Sequence, residues 1–516
     1  MKRKGLAYWW VAGAVVGAGL AGMDQPAPWA WVVYLLLGIA AAEVARRLWR
    51  LVQGEGAPSS LLAALVVGLL LRLLLSIAWT ALLPDFGNDV PPHDAGIFFP
   101  DAWDRDRTGH AIGRSEGSLL AAFDNAKGDQ YGTLLFATSA IYRVFGPEVE
   151  TTAIPSAAAA YFGALAILLT WAFAHKAFGP RVAGISAWFV ALYPEAVLLG
   201  SQSMREPYVM AGVAAALYGY ALARDGRGRE GLRWIAGGGL LSLLVSPPFG
   251  LITVLVIGVG WLWEGRVRGL VAQLATVVLT ALFVLALVLT IRAWSNLLSG
   301  DPQPLDALSA WLTGSGYEVR ELVLVSGFFE QIFRQTPVWA HVPLVTLTGL
   351  IQPLLPASIM DNTGVLLTRI VMIWRSLGWF IVLPVLLYAP VATVRREGWR
   401  SLATFLCFVM IFSTVVISYR FGGDQWDSPR YRTALVTMLA ALVGWSWVTA
   451  RDQRDRWLVW LASLVGLETV IIGWWYAGRY YHLPRLALYP TLLIGACAGA
   501  ALLIAAAVVE RMRRSG

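Results

Sequence analysis

The sequence predicts an all-α, polytopic integral membrane protein with about fourteen transmembrane helices. Of its 516 residues, 58% are hydrophobic and only 14% are charged, and the mean hydropathy is +0.63. Apolar runs of roughly 18 or more residues recur from end to end, and each can cross a hydrocarbon layer about 30 Å thick. Backbone groups in lipid must bond internally, and the period-2 alternation of a membrane barrel is missing, so these runs are expected to be helices.

Basic residues indicate the orientation of these helices. They form short clusters at the ends of apolar runs, which is typical of cytoplasmic loops. The formal net charge of +8 therefore does not indicate nucleic acid binding. Both termini are predicted to be cytoplasmic in a multi-pass protein of the cell membrane. The clusters lie at 2–4, 46–47, 224–233, 266–268, 395–396, 451–456 and 511–514.

Basic clusters on the cytoplasmic side alternate with the other loops on the outer side, and this pattern divides the chain into three parts. Residues 1–58 form an N-terminal hairpin of two transmembrane helices, of which the first is a retained helix and not a signal peptide. Residues 59–450 form the core, and residues 451–516 hold the last transmembrane helices. Spans are predicted near 6–22, 29–45, 60–83, 152–176, 181–199, 205–223, 232–246, 249–263, 269–291, 367–392, 400–418, 431–449, 457–476 and 485–509.

Some segments depart from simple spans. Two large outer segments are expected, at 84–150 and 292–366. If the apolar stretches 131–145 and 341–357 crossed the membrane, the basic clusters would no longer all lie on the cytoplasmic side. They are therefore predicted to lie in the outer interface or to re-enter the membrane. The pair Pro247-Pro248 cannot continue a helix, and the short runs that flank it are expected to line a cavity.

The segment 84–130 is the most polar part of the chain. It lies outside the cell by the charge bias, which makes it a candidate place for chemistry on a substrate at the membrane surface. Only four basic residues accompany its nine acidic ones. The acidic residues are Asp85, Asp89, Asp94, Asp101, Asp104, Asp106, Glu116, Asp124 and Asp129.

Four segments match the elements of a known family in order, spacing and sidedness. They are HDAGIFF at 93–99; QYGTLL at 130–135 with YRVFGP at 142–147; FGPR at 178–181 with YPE at 193–195 and REP at 205–207; and PRYR at 429–432. Over about residues 60–450 the chain resembles the GT-C glycosyltransferases, integral membrane enzymes that use polyprenyl-phosphate sugars as donors. The resemblance is nearest to the bacterial lipid-linked-sugar and protein O-mannosyltransferase-like branch. Gly132 stands where that family has a proline, which is a departure from the pattern.

The resemblance implies a catalytic base early in the first outer loop. An aspartate takes this place in the family, so Asp94 is the candidate base and Asp89 is the second candidate. His93 is expected to contact the substrate, or to be only a local hydrogen-bond partner. Alternatively, each of these acids merely solvates the loop or pairs with an arginine of the same loop.

The resemblance also implies that Arg205 or Glu206 faces the donor head group, and that Gln130 and Tyr131 belong to the substrate site. A structural role is an equal alternative for Glu206. Its carboxylate would complement the positive N-terminal end of a helix, and Pro207 suits a first helical position.

Arg430 and Arg432 are predicted to bind the donor phosphate. Positive charge on the outer side runs against the usual bias, and a guanidinium group matches phosphate in a bidentate way. The alternative is that these arginines pair with Asp424 and Asp427 just upstream. Further outer basic groups are Lys127, Arg320, Arg334 and Arg420.

No residue is assigned to a metal, although a divalent ion such as Mg²⁺ or Mn²⁺ is compatible with the carboxylates of the loop. Asp101, Asp104 and Asp106 are candidates, but their spacing matches no defined metal loop. The histidines show no zinc spacing. Cys407 and Cys497 lie inside apolar runs and are expected to be small buried hydrophobes.

The predicted function is transfer of a sugar from a polyprenyl-phosphate donor to a lipid, glycan or protein acceptor at the extracytoplasmic face. The resemblance implies inversion at the anomeric carbon. Alternatives are a secondary transporter or lipid flippase, a polyprenyl-dependent glycan polymerase or ligase, and an inactive relative that serves as an assembly scaffold. Few ionisable residues lie in the spans, and no repeat is visible, which disfavours the transporter.

Overall fold

The computed structural model describes residues 2–125, 128–145, 153–265, 336–354, 359, 365–421 and 425–515. Across these ranges the chain is helical, without a β-strand, as the sequence predicts. It divides into two compact units, Met1–Thr253 and Val254–Gly516. The boundaries at 58/59 and 450/451 are not tested by this division and remain predictions.

Unit 1 contains ten helices among its described residues, joined by short loops and two 3-10 turns. Proline at the first or second helical position begins five of them, because its fixed φ and missing N–H suit that place. The helices are α1 Lys2–Asp24, α2 Ala30–Gly54, α3 Ser59–Phe86, α4 Pro100–Arg114, α5 Thr133–Phe145, α6 Ile154–Phe178, α7 Pro180–Leu192, α8 Pro194–Leu199, α9 Glu206–Arg224 and α10 Gly228–Val245.

Helix α11, Pro247–Trp263, runs across the boundary between the units, and the described part of unit 2 adds seven more helices. These are α12 Val338–Ile351, α13 Leu366–Glu397, α14 Leu402–Arg420, α15 Asp427–Thr433, α16 Val436–Asp452, α17 Trp457–Tyr480 and α18 Leu488–Ser515. The predicted break at Pro247-Pro248 is confirmed, since α10 ends at Val245 and α11 begins two residues later.

Six described helices are long and apolar enough to cross a membrane, namely α3, α6, α13, α14, α17 and α18. The pair α15 and α16, bent by 79°, would be a seventh. The predicted spans in α1, α2, α9 and α10 fall outside this set. The predicted span 269–291 lies outside the described residues. A total of about fourteen spans stays a prediction.

Three predicted segments differ in detail or remain to be placed. The span predicted at 181–199 is broken into α7 and α8, because Tyr193 precedes a proline and is extended, with φ −61° and ψ 120°. Helices α5 and α12 form where interfacial helices are expected, but their depth in a bilayer stays a prediction. The outer segment 292–335 lies outside the described residues.

Glycine lets two helix pairs of unit 1 pack closely. In the pair α1–α2, a Cβ added at Gly38 would clash with the carbonyl oxygen of Gly13. In the pair α9–α10, a Cβ added at Gly238 would clash with the carbonyl oxygen of Gly212. Small residues of this kind are typical of helix contacts in membranes, where dispersion replaces the hydrophobic effect. The N-terminal hairpin is therefore a well-packed part of unit 1.

The two ends of unit 1 differ in charge. At one end, the Glu55 carboxylate pairs with Lys176 and accepts hydrogen bonds from Arg227 at 2.6 Å and Tyr218 at 3.3 Å. At the other end, Asp24 accepts a hydrogen bond from the backbone N–H of Ala153 at 2.9 Å, next to the start of α6. Because α3, α6 and α9 connect the two ends, the acidic first loop and the basic loops lie at opposite ends.

Candidate functional site

The candidate site is built around the turn 200–205, which joins α8 to α9 at the acidic end of unit 1. Two side chains hold this turn against the first outer loop and α3. Gln202 Oε1 accepts hydrogen bonds from the backbone N–H groups of Phe98 at 3.0 Å and Phe99 at 3.1 Å. Trp79 Nε1 donates to Ser201 Oγ at 2.9 Å, and its ring packs on Phe98 with centroids 4.8 Å apart. Two segments about a hundred residues apart in sequence are thereby joined.

Arg105 of α4 reaches the same turn. Its guanidinium donates to the carbonyl oxygen of Ser203, and the residue is only 1% exposed. Burial lowers the pKa of Arg105, the carboxylate of Asp129 opposes that change, and the guanidinium of Arg205 adds to it. The two arginines and the aspartate therefore share one poorly solvated region.

Arg205 contacts the QY pair that follows Asp129. Its Nη1 donates to Gln130 Oε1 at 3.1 Å, and its guanidinium lies 5.2 Å from the centroid of the Tyr131 ring. Its Nη2 lies 3.9 Å from Asp129 Oδ1. Burial raises the pKa of the Tyr131 hydroxyl, and the guanidinium of Arg205 opposes that change. Arg205 thus contacts three consecutive residues of the first loop.

Asp129 is oriented by the start of α5. Its Oδ2 accepts a hydrogen bond from the backbone N–H of Leu134 at 3.0 Å, in the first turn of that helix. A carboxylate is favourable there because the first N–H groups of a helix have no intrahelical partner. The other oxygen, Oδ1, accepts no hydrogen bond within the described residues and points towards Arg205.

Glu206 takes the place that its structural alternative predicts. It opens α9 with Pro207 beside it, and it is 1% exposed. Its carboxylate therefore complements the positive end of α9. Because Glu206 also acts electrostatically on Arg105, the site holds two buried arginines together with two buried carboxylates. The positive and negative charges are close to balanced.

The candidate bases lie on the solvent side of this region. Asp94 is exposed in the 3-10 turn His93–Ala95, and Asp89 is exposed a few residues earlier. Among the described residues, neither carboxylate forms a hydrogen bond or an ion pair. The predicted role of Asp94 or Asp89 as a base is not tested by this placement and stays a prediction.

His93 connects Asp94 to the joined segments. Its Nδ1 accepts a hydrogen bond from the backbone N–H of Asn88 at 3.1 Å, and its ring stacks on Phe98 with centroids 5.6 Å apart. Partial burial lowers the pKa of His93. Since Phe98 is bonded to Gln202, only two contacts separate His93 from the turn that carries Arg205.

Arg432 belongs to unit 2, where it supports the end of α12. It is 2% exposed, and Nη2 donates to the carbonyl oxygen of Gln352 at 2.6 Å. Its guanidinium lies 4.0 Å from the centroid of the Trp379 ring, whose Nε1 donates to the carbonyl oxygen of Leu350 at 3.0 Å. These contacts give Arg432 a structural role. Its binding of the donor phosphate stays a prediction.

Arg430 shows part of the pairing that the alternative predicts. Its Nη1 lies 3.7 Å from Asp427 Oδ1, and its guanidinium lies 5.4 Å from the centroid of the Tyr431 ring. Tyr431 in turn stacks on Phe421 with centroids 4.2 Å apart. Asp424, the other predicted partner, lies outside the described residues, as do Lys127, Arg320 and Arg334. The binding of phosphate by Arg430 stays a prediction.

The described part of the chain contains no group of three or more His, Cys, Asp or Glu residues that could hold a metal ion. Of the three loop aspartates considered for this role, Asp106 accepts a hydrogen bond from the Tyr142 hydroxyl at 2.7 Å. Burial raises the pKa of Asp106 to about 6, and the carboxylate of Asp24 contributes to this rise. Asp106 is therefore a poor anionic ligand at mildly acidic pH.

Three residues of the site were missed by reasoning from the sequence. Asp129 directly precedes the QY pair, and that adjacency was the available signal. Arg105 was considered only as one of the loop arginines that could pair with the loop acids. Gln202 carries no signal in the sequence, because its role depends on a contact with Phe98 that only the fold creates.

Comparison with known proteins gives similarities of structure alone. No family model matches the chain, and no curated protein matches it in sequence. One similar solved structure is the archaeal oligosaccharyltransferase AglB from Archaeoglobus fulgidus in complex with an inhibitory peptide and a dolichol-phosphate. That likeness has 14% identity and a TM-score of 0.39, and it covers 86% of this chain and 54% of that one.

Two further structures of the Archaeoglobus fulgidus oligosaccharyltransferase are similar to the same degree. The complex with Zn and sulfate has 17% identity and a TM-score of 0.40, over 81% of this chain and 52% of that one. The form tethered to an acceptor peptide has 15% identity and a TM-score of 0.39, over 85% and 55%. This chain spans about half the length of each of these solved structures.

Proposed function

We propose that this protein is a GT-C-like glycosyltransferase that moves a sugar from a polyprenyl-phosphate donor to a lipid, glycan or protein acceptor. One observation carries the proposal. The segments 93–99 and 130–131 and the pair Arg205-Glu206, which the resemblance to GT-C enzymes singled out separately, come together at the turn that carries Arg205. They lie at the acidic end of unit 1, opposite the basic loops that are predicted to be cytoplasmic.

The two buried arginines suit the phosphate of the donor. Arg105 and Arg205 sit in a region of low solvation, where a guanidinium interacts more strongly with an anion than it does in water. Asp129 and Glu206 offset their charge in the free protein, and Asp129 lies beside Arg205. Positive charge at this point stabilises the phosphate as it leaves the anomeric carbon. We assign Arg205 as the principal phosphate ligand and Arg105 as its neighbour.

Asp94 is assigned as the base that takes the proton from the acceptor hydroxyl, with Asp89 as the second candidate. A base must reach an acceptor that arrives from water, and both carboxylates are exposed. Asp94 is favoured because the adjacent His93 is tied through Phe98 to the turn that precedes Arg205. The buried Asp129 is less suited, since one of its oxygens is already bonded to α5.

A lipid or solute transporter is the second candidate, because of one buried charge in a membrane helix. Arg72 lies in α3, is 0% exposed, and donates to the carbonyl oxygens of Gly68 at 2.7 Å and Val190 at 3.1 Å. The Val190 carbonyl belongs to the end of α7, just before the break with α8. Broken helices with a nearby intramembrane charge are typical of secondary transporters.

Sugar release separates the two functions. Purified protein is incubated with a panel of radiolabelled polyprenyl-phosphate sugars, and wild type is compared with Asp94→Asn. The transferase proposal expects donor consumption by wild type and a fall of about 10²–10⁴-fold in the variant. The absence of any consumption, together with transport of an intact lipid or solute across vesicles by wild type, would establish the transporter.

A further inference from the structure

A second cluster of arginines lies in unit 2, at the end of the hairpin formed by α17 and α18. Arg479 and Arg485 both approach the Trp475 ring, with guanidinium-to-centroid distances of 5.9 Å and 5.1 Å. Trp475 is 3% exposed, whereas Arg485 is exposed and Arg479 is half-buried. The indole therefore contacts both guanidinium groups.

A third arginine is tied to the same loop. Arg369, near the start of α13, donates from Nη2 to the Tyr481 hydroxyl at 2.8 Å. It also donates from Nε to the carbonyl oxygen of Ile359 at 3.3 Å. Because Tyr481 lies between Arg479 and Arg485 in sequence, three guanidinium groups belong to one end of the hairpin.

Within the described part of the chain, no ion pair balances this positive charge. The chain carries no acidic residue from 477 to 488, and none of the three arginines has an ion pair among the described residues. The other end of α13 is different, since Arg396 pairs there with Asp455. Arginines that lack an ion pair among the described residues thus lie at the end of a hairpin that the charge bias places outside the cell. This position runs against the usual distribution of positive charge, and a bound anion explains it.

The hairpin offers apolar surface directly beneath the arginines. In the 18-residue apolar stretch of each helix, only 11% of α17 and 17% of α18 is buried inside the protein, compared with 78% of α6. Tyr481 and Tyr489 are also exposed at this end. A lipid could therefore place its chains along the two helices while its phosphate reaches the guanidinium groups.

We propose that Arg479 and Arg485, with Arg369 beside them, form a binding site for the phosphate of a membrane lipid. The chemistry is shared by two sources, an anionic phospholipid and a polyprenyl phosphate. A guanidinium group donates two parallel hydrogen bonds to phosphate oxygens, and such charge-assisted bonds are the strong ones. Lipid binding at this site does not require the transferase activity proposed above.

Native mass spectrometry of the full chain in detergent tests the site. The probes are phosphatidylglycerol, a polyprenyl phosphate, and the matching lipids without phosphate, diacylglycerol and polyprenol. Arg485→Gln, Arg479→Gln and the double variant are compared with wild type. The control is Arg400→Gln, which removes an exposed arginine just after the end of α13. Because Arg485 is exposed, its single variant is expected to fold even if the double variant does not.

The expected result is binding weakened about tenfold by Arg485→Gln, and further by the double variant, for at least one phosphate lipid. Loss for both lipids indicates recognition of phosphate itself, and loss for one alone identifies the source. Arg400→Gln and the lipids without phosphate should show no change. Equal binding of both phosphate lipids by wild type and Arg485→Gln would overturn the proposal, as would equal loss with Arg400→Gln.

Discussion

Gln202 accepts two hydrogen bonds through one oxygen, from the backbone N–H of Phe98 at 3.0 Å and from that of Phe99 at 3.1 Å. These bonds lie in a buried region and hold the HDAGIFF segment against the turn before Arg205. Gln202 therefore joins the segment of the predicted base to the turn that precedes Arg205. Its side chain acts through position and needs no contact with substrate.

Replacement of Gln202 tests this positioning. Gln202→Leu leaves two buried N–H groups without an acceptor, which should lower the free energy of unfolding by about 1–3 kcal/mol. Gln202→Glu keeps an acceptor oxygen in the same place and should recover most of the loss. Thermal unfolding of both variants in detergent measures the effect. Equal unfolding temperatures for Gln202→Leu and wild type would contradict the account.

Arg205 should be the most sensitive arginine of the site. Arg205→Gln removes the proposed phosphate ligand and leaves the carboxylate of Asp129 without its nearby cation, so kcat/KM for the donor should fall by roughly 10²-fold or more. Arg205→Lys keeps the charge but loses the bidentate fork, and should fall by less. Arg107→Gln, an exposed change on α4, is the matched control. A similar fall for Arg107→Gln would mean that the loss reflects general charge and not the site.

Asp106 should make stability depend on pH. Its pKa is 3.8 in the unfolded reference and about 6 in the fold, so folding favours the protonated carboxyl. The stability that it contributes is complete below about pH 4 and is lost as the pH rises through about 6. The rise corresponds to at most about 3 kcal/mol, reduced by whatever solvent reaches the side chain.

Asp106→Asn removes this titration and keeps a group that can accept the Tyr142 hydrogen bond. The variant should therefore gain stability relative to wild type as the pH is raised from 5 to about 7.5. Unfolding temperatures of both proteins measured across this range provide the comparison. A constant difference at every pH would show that the fold does not raise the pKa of Asp106.

The packing of α9 against α10 can be tested with two adjacent glycines. Gly238→Ala places a methyl group against the carbonyl oxygen of Gly212, and should destabilise the protein by about 1–3 kcal/mol. Gly237→Ala faces open space, and should be neutral or stabilising by up to about 1 kcal/mol. If the two variants unfolded at the same temperature, the close approach of the helices would be refuted.

Much of the helical organisation could be predicted from the sequence, since long apolar runs in lipid leave the backbone few alternatives to a helix. The break after α10 was predictable because Pro247 and Pro248 are adjacent. The break between α7 and α8 depends on the same chemistry at Pro194, but a single proline in an apolar run was not decisive. The count of spans depends on weakly apolar helices such as α1 and α9, which the hydropathy of single residues does not resolve.

The site was predicted in pieces. Arg205, Gln130 and Tyr131 were each named from the sequence, and the structure brings them together. Asp129 was named only as one of nine acidic residues, and Gln202 was not named, because their importance comes from contacts in the tertiary structure and not from any local pattern. Arg432 illustrates the opposite case, since an arginine expected to bind a ligand also has a structural partner, the end of a neighbouring helix.

The most direct test of the central claim is the location of the donor phosphate. Purified protein is photolabelled with a polyprenyl phosphate that carries a photoreactive group beside the phosphate, and the labelled peptides are mapped. The account predicts labelling within 93–99, 130–131 and 201–206, suppressed by unlabelled polyprenyl phosphate and reduced in Arg205→Gln. Labelling confined to unit 2, or labelling of unit 1 that neither the competitor nor the variant changes, would contradict it.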